Sequence, residues 1–401
     1  MSWDYVTLDK LGSISRGKSK HRPRNDKTLF GGKYPFIQTA DVKAAGLYLN
    51  EYTETYSDKG LAQSKLWPAG TLCITIAANI ADTTILGIDA CFPDSVMGFI
   101  PYEGVSNVKF VKYAFDILQR DCKKISQGTA QDNLSWKKLS TIKFPAPDIE
   151  IQDKIVSILS VYDALIKNNQ KQIKLLEEAA QRLYKEWFVD LRFPGYEDVA
   201  IVDGVPEGWR KGKAENFFNI TIGKTPPRAE KQWFVKNNIG VPWVSISDMG
   251  NAGVYVFETS EDLTQEAVKK YNMKVVPSGT IFVSFKLTVG RVSIATKNMC
   301  TNEAIAHFYI DDDSKQAYTY CYLNNFEYDT LGNTSSISKA INSKIIRAMP
   351  FVMPDEVTIL AFDRLVAPIL KTIKNKLEVC IKLKEARDRL LPKLMSGEIE
   401  V

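Results

Sequence analysis

A repeat at half the chain length constrains this sequence more than any other feature. YPFIQTADVKAAGLY, Tyr34 to Tyr48, returns as VPWVSISDMGNAGVY, Val241 to Tyr255, at an offset of 241 − 34 = 207 residues. Pro35 meets Pro242, Asp41 meets Asp248, Ala45–Gly46 meets Ala252–Gly253, and Phe36–Ile37 meets Trp243–Val244. LWPAGTLCITI (Leu66–Ile76) matches VVPSGTIFVSF (Val275–Phe285), with Pro68 and Pro277 at 277 − 68 = 209, and Ile85, Cys91 and Phe99 recur as Ile294, Cys300 and Phe308. Near the start, Trp3, Ile14, Gly17, Lys18 and Arg22 recur as Trp209, Ile220, Gly223, Lys224 and Arg228, at offset 206. Collinear anchors in one order predict a duplicated domain, and 401 residues have room for it at roughly 100–200 residues per domain.

Each copy closes on a long helix. Apolar residues at Ile155, Leu159, Tyr162, Ile166, Ile173, Leu176, Ala180, Leu183 and Trp187 step mostly by four and three, the seam of a coiled coil. Adding 207 gives Phe362, Val366, Ile369, Ile373, Cys380, Leu383, Arg387, Leu390 and Leu394, where only Arg387 is polar. The gap in the first seam, Asn169, corresponds to Lys376, also polar. Matched seams predict that the helices pack on each other. Because the first leads into a folded half, an antiparallel pair is expected, with the halves at opposite ends of a rod of roughly 58 Å. Pro147–Asp148 and Pro354–Asp355 predict an acid at each helix start, and Pro194–Gly195 a stop to the first helix.

The globular parts read as mixed. TLCITIAANI and TIFVSFKLTVGRVSIAT are rich in strand formers, with a hairpin tip at Thr288–Arg291, and VKYAFDILQRDCKKI reads as a helix. GTAQDNLSW and GNTSSISKAINS read as loops. The fold class expected is α+β.

Composition excludes several kinds of chemistry. Six scattered cysteines without CxxC spacing and only two histidines, His21 and His307, argue against a zinc site or a disulfide framework. The opening MSWDYVTLDK has no apolar signal core and no apolar run approaches the ~20 residues of a membrane span, so a cytoplasmic protein without membrane contact is expected. Phosphate-loop, nucleophile-elbow and zincin motifs are missing. Asp41-Val42-Lys43 has the short form of a nuclease carboxylate–lysine pair, but its copy Asp248-Met249-Gly250 lacks the lysine. Capping a turn after a strand is the expected role of both aspartates. The chain reads as non-catalytic, with no metal and no cofactor of its own.

The net charge of +5 is modest, but its distribution is uneven: Lys10, Arg16, Lys18, Lys20, Arg22, Arg24 and Lys27 face a single acid, Asp26. Such a stretch is either a solvated basic loop or a phosphate-contacting arm. Lys224 and Arg228 are its counterparts in the second half, joined there by Lys286 and Arg291 of the hairpin. Gln38, Thr39, Gln127, Gln131, Ser245, Ser247 and Lys339 are the candidate base-edge readers, each also compatible with an ordinary surface role.

The Gly17-Lys18 and Gly223-Lys224-Thr225-Pro226 turns, the PFIQTADV and PWVSISDM blocks, GTAQDNLSW, and a Pro-Asp entry to a long helix after each half share one order. This plan resembles the specificity subunit of type I restriction–modification systems over essentially the whole chain. The resemblance implies two tandem target-recognition domains, 1–147 and 194–353, and two antiparallel spacer helices, 148–193 and 354–401, related by a pseudo-twofold. It also implies binding to double-stranded DNA, to two copies of a methyltransferase subunit that uses S-adenosylmethionine, and to an ATP- and Mg-dependent restriction subunit. Departures between the halves, Lys20–His21 against Pro226–Pro227 and Ala77 and Asp82 against Lys286 and Arg291, predict different DNA contacts and an asymmetric target. A generic nucleic-acid-binding scaffold and an Mg-dependent nuclease are the rival readings.

Overall fold

The computed structural model describes residues 3–77, 81–126, 136–236, 239–331 and 341–401. It divides into two compact units, Met1–Lys167 with Lys382–Val401, and Asn168–Ile381, so each unit holds one globular part and a section of each long helix.

In the first unit a five-stranded sheet runs Gly12–Arg16, Val96–Pro101, Leu72–Thr75, Thr83–Leu86, Tyr48–Leu49, and a four-stranded sheet runs Glu54–Tyr56, Phe30–Phe36, Ala90–Cys91, Leu66–Trp67. Leu72–Thr75 and Thr83–Leu86 are buried along their whole lengths, because both faces are covered. The helix Val108–Ser126 turns Phe110, Val111, Ala114 and Phe115 into this core at helical spacing.

The second unit repeats this order strand for strand. Its five-stranded sheet runs Ile220–Ile222, Ile305–Phe308, Ile281–Ser284, Val292–Ala295, Tyr255–Val256, and its four-stranded sheet runs Phe234–Val235, Glu261–Leu263, Val241–Val244, Cys300–Thr301. Register repeats too. The parallel pair Tyr48↔Ile85 returns as Tyr255↔Ile294, Phe36↔Cys91 as Trp243↔Cys300, and Trp67↔Ala90 as the single bridge Val276↔Met299. A one-residue slip would turn every inward side chain out, so shared register means that the two copies bury the same positions. The expected hairpin joins Ile281–Ser284 to Val292–Ala295.

The long helices are Ile149–Tyr184, extended by a π-helical turn Lys185–Val189, and Glu356–Ser396. In the second, Asp355 caps the start, its Oδ1 accepting the Thr358 amide at 2.9 Å. They run antiparallel in both units. In the first, Lys154 reaches the Val401 carbonyl (3.3 Å) while Asp163 takes Arg387 (2.6 Å). In the second, Asn169 takes Lys376 at 3.3 Å, and Trp187 packs on Phe362 with ring centres 5.6 Å apart. Asn169 and Lys376 are copies of each other, and a residue bonded to its own copy is what a twofold between the two helices produces.

Of the seam residues read from the sequence, Ile155, Leu159, Ile166, Ile173, Ala180, Trp187, Phe362, Val366, Ile373, Cys380 and Leu394 are buried. Leu176, Leu183, Leu383 and Leu390 are half-buried. Full burial of each aliphatic is worth about 1.5–3 kcal/mol, which makes the seam a large share of what holds the helices. Val156, Tyr184, Leu370, Leu391 and Met395 are also buried, so the stripe is wider than a two-column seam. No described helix is long and apolar enough to cross a membrane.

Candidate nucleic-acid interface

In the first unit the basic loop leaves the sheet at Gly17. The Gly17 amide bonds the Val96 carbonyl (2.9 Å) and the Lys18 amide the Phe92 carbonyl (3.1 Å). A Cβ on Gly17 would fall 2.3 Å from the Phe92 and Pro93 carbonyl oxygens, so only glycine fits this close approach. Arg16, Lys18, Lys20 and Lys27 are exposed. Arg22 and Arg24 are held down. Arg22 Nη1 donates to the carbonyls of Ser19 (2.7 Å) and His21 (2.8 Å), and Arg24 Nη2 donates to both carboxylate oxygens of Asp94 (3.0 and 2.9 Å). The loop's lone acid organises it. Asp26 accepts from the Thr28 hydroxyl and amide, and these bonds, with Lys59 and His21 nearby, lower its pKa to about 2.

The second unit begins the same way, with the Lys224 amide on the Thr301 carbonyl (3.0 Å) and no room for a Cβ on Gly223. Lys224 is exposed, its Nζ reaching the Asn272 carbonyl at 3.3 Å. Arg228 goes elsewhere than its copy. Its Nη1 bonds Glu261 Oε2 at 2.5 Å, and its guanidinium carbon lies 4.3 Å from the Phe234 ring centre and 4.5 Å from that of Trp243.

The candidate base-edge readers divide. Gln38 precedes the short helix Thr39–Ala44 and donates from Nε2 to Glu54 Oε2 at 2.6 Å; Thr39 opens that helix, half-buried. Ser245 caps the helix Ile246–Ala252. Its hydroxyl accepts the Asp248 amide (3.1 Å) and donates to Asp248 Oδ2 (2.7 Å), so it is engaged within the fold. Ser247 is exposed. Both aspartates of the repeated block do the capping work expected of them: Asp248 Oδ2 accepts the Ser245 amide and Asp41 Oδ2 the Gln38 amide, each at 2.8 Å. The nuclease reading of Asp41 thereby loses its free carboxylate. Lys286 is exposed on the hairpin, whereas Arg291 turns inward and donates to the Ile246 carbonyl at 2.5 Å, tying hairpin to helix. Across from these cations, Asp82 of the first unit accepts from Gln119 at 2.6 Å. Gln127, Gln131 and Lys339 lie outside the described residues.

In each unit, therefore, a glycine–lysine turn, a strand end with its capped helix, and a two-strand hairpin converge, linked by the bonds just given. The sequence reading missed the acids that serve this region. Glu54 and Glu261 share the offset of 207, which was the available signal, while Asp94, the partner of Arg24, carried none.

A duplicated mixed domain with a polar, cation-bearing loop face, fused to a long helix pair, is the architecture of a two-headed DNA-reading protein. Residues 2–178 and 206–384 each match the type I restriction modification DNA specificity domain, and the chain belongs to that family. It is 27% identical over its whole length to the type I restriction enzyme MjaIX specificity subunit of Methanocaldococcus jannaschii, covering 94% of that protein. Over 66% of its length it is 25% identical to the HindI specificity subunit of Haemophilus influenzae, covering 71% of that protein. Its fold is that of the type I restriction–modification S subunit from M. genitalium, with a TM-score of 0.57 at 14% identity, covering 98% of this chain and 96% of that one.

Proposed function

We propose that each domain reads one half of a bipartite, gapped sequence in double-stranded DNA, and that the helix pair sets the gap. The chain itself is non-catalytic. It works in the cytoplasm beside two copies of a methyltransferase subunit, which supply S-adenosylmethionine chemistry, and an ATP- and Mg-dependent restriction subunit. The observation that carries this reading is the repeated frame with unlike equipment: Gln38 and Glu54 stand at one strand end, and Ser245 and Glu261 at its copy. Unlike side chains on a common frame are what two different half-sites require.

Mapping modified bases in genomic DNA after co-expression with the neighbouring methyltransferase tests it. A gapped motif modified only in the co-expression is expected, and transplanting residues 1–147 from a relative should change one half of that motif alone. No new modification, with the methyltransferase folded and bound, would count against the specificity role.

A further inference from the structure

The aromatic corner that holds Arg228 is duplicated, but its copy is open. Phe234 and Trp243 meet edge-on with ring centres 5.7 Å apart and planes at 75°; Phe30 and Phe36 meet at 6.0 Å and 66°. Phe36 aligns with Trp243, Glu54 with Glu261, and Arg22 with Arg228. Yet Arg22 turns back onto its own loop, and a crevice of about 690 Å³ lies where its counterpart would sit. Phe30, Phe36, Tyr56, Gln38 and Glu54 line it, with Arg24 and Lys27 at the same opening.

The second half shows what chemistry such a corner holds: a flat group on two ring faces, giving N–H bonds to a carboxylate. We propose that the crevice of the first half binds an unstacked nucleobase with an exocyclic amino group, cytosine or adenine, from the half-site this domain reads. The proposal rests on the DNA-reading role above. Arg228 is the internal stand-in for that base. Glu54 accepts the amino group as Glu261 accepts the guanidinium, Phe30 offers the ring face, and Arg24 and Lys27 are placed for the backbone phosphate. A base still paired in the duplex cannot present its face to Phe30, so the base must leave the stack.

The test uses the full chain with its methyltransferase, once the target is mapped. Duplexes carry, at each position of the first half-site in turn, either an abasic site or a mismatch opposite the base. One cytosine or adenine position should behave unlike the rest. Removing that base weakens binding by about tenfold or more, whereas mismatching its partner tightens binding, because the pair no longer has to be opened. Glu54→Gln, which keeps the side-chain shape, and Phe30→Leu should each erase that signature and leave the second half-site unchanged. If no mismatch in the first half-site tightens binding, or if both variants keep the wild-type pattern, the crevice is not a base site. Loss of the methyltransferase from Phe30→Leu with the DNA pattern intact would assign the crevice to a protein partner and also overturn the proposal. Discrimination at the second half-site alone strikes only the crevice; discrimination at neither strikes the specificity role as well.

Discussion

Arg22 and Arg228 descend from one position of the repeat, and the two halves use it differently. In the first half the guanidinium closes on two carbonyls of its own exposed loop. In the second it lies on Phe234 and Trp243 and is bonded to Glu261. Lys20–His21 in one loop against Pro226–Pro227 in the other accompanies the difference, since proline fixes the backbone that leads into the arginine. An arginine buttressed by a carboxylate and stacked on rings loses little freedom on binding, which suits base reading; one turned back on its loop does not. The sharpest way to break this comparison is to remove each arginine separately. Arg228→Ala should weaken discrimination at the second half-site by about ten- to a hundredfold, the range of a specific base contact. Arg22→Ala should change either half-site by less than about threefold. Competition binding against duplexes scrambled in one half-site measures both, and equal losses would show that the unlike settings of the two arginines have no bearing on reading.

The helix pair carries a second contrast. In the first unit Asp163 receives Arg387 at 2.6 Å and the Tyr113 hydroxyl at 2.5 Å. Burial opposes the Arg387 charge, but the bonds and charges of Asp163 and Asp388 outweigh it and raise its pKa. At the matching places of the second unit stand Leu370 and Ala180, both buried in the apolar core. One end of the seam is therefore ionic and the other apolar. Breaking the pair by Arg387→Ala leaves the carboxylate of Asp163, 13% exposed, without its cation. That should cost about 2 kcal/mol, somewhat less than the ~3–5 kcal/mol of a fully buried pair because Arg387 keeps 27% of its surface. The double change Asp163→Leu with Arg387→Ala copies the second unit and should recover most of that loss. Denaturant titration of the three variants reads it, and a double variant no better than the single one would mean that the pair is worth more than its apolar copy.

How far the sequence revealed this molecule follows from the range of each interaction. The seams were legible because helical period is local: Ile155, Leu159, Ile173, Phe362 and Val366 fall where spacing put them. The strands followed from β-branched runs, and their pairing from the repeat itself. The Ser245 cap was also legible, since Ser-x-x-Asp before a helix is a capping signature, and it argued against a base-reading role for that hydroxyl. What stayed hidden depends on strand register and loop path. Arg24 meets Asp94 across 70 residues, and Arg228 meets Glu261 across 33. Nothing local in the basic loop says which of its cations will be engaged.

The last contrast lies inside the five-stranded sheets and concerns acid. His307 is fully buried on Ile305–Phe308, its Nδ1 2.8 Å from the Thr221 hydroxyl and its Nε2 2.7 Å from that of Thr301. The Thr301 hydroxyl donates to the Asn302 carbonyl at 3.1 Å, so it accepts from Nε2–H, and Nδ1 accepts from Thr221. The neutral ring is thus satisfied on both sides, and burial lowers its pKa from 6.5 to about 4. The matching residue of the first half, at 307 − 209, is Gly98, where a Cβ would fall 2.5 Å from the Trp67 ring; an indole takes up the space there and nothing titrates. The sign is fixed by linkage. Unfolded chain takes up a proton below about pH 6.5 while folded His307 does not until about pH 4, so its stabilising contribution is complete above 6.5 and declines between those values. At pH 5.5 the second unit should have lost on the order of 1 kcal/mol from this source. Hydrogen exchange at pH 7 and pH 5.5, corrected for intrinsic rates, should show the strands Ile220–Ile222, Ile281–Ser284 and Ile305–Phe308 losing protection relative to Gly12–Arg16, Leu72–Thr75 and Val96–Pro101. His307→Gln, which keeps donor and acceptor without a titrating ring, should abolish the difference. An equal loss in both halves of that variant and of the parent would place the acid sensitivity elsewhere.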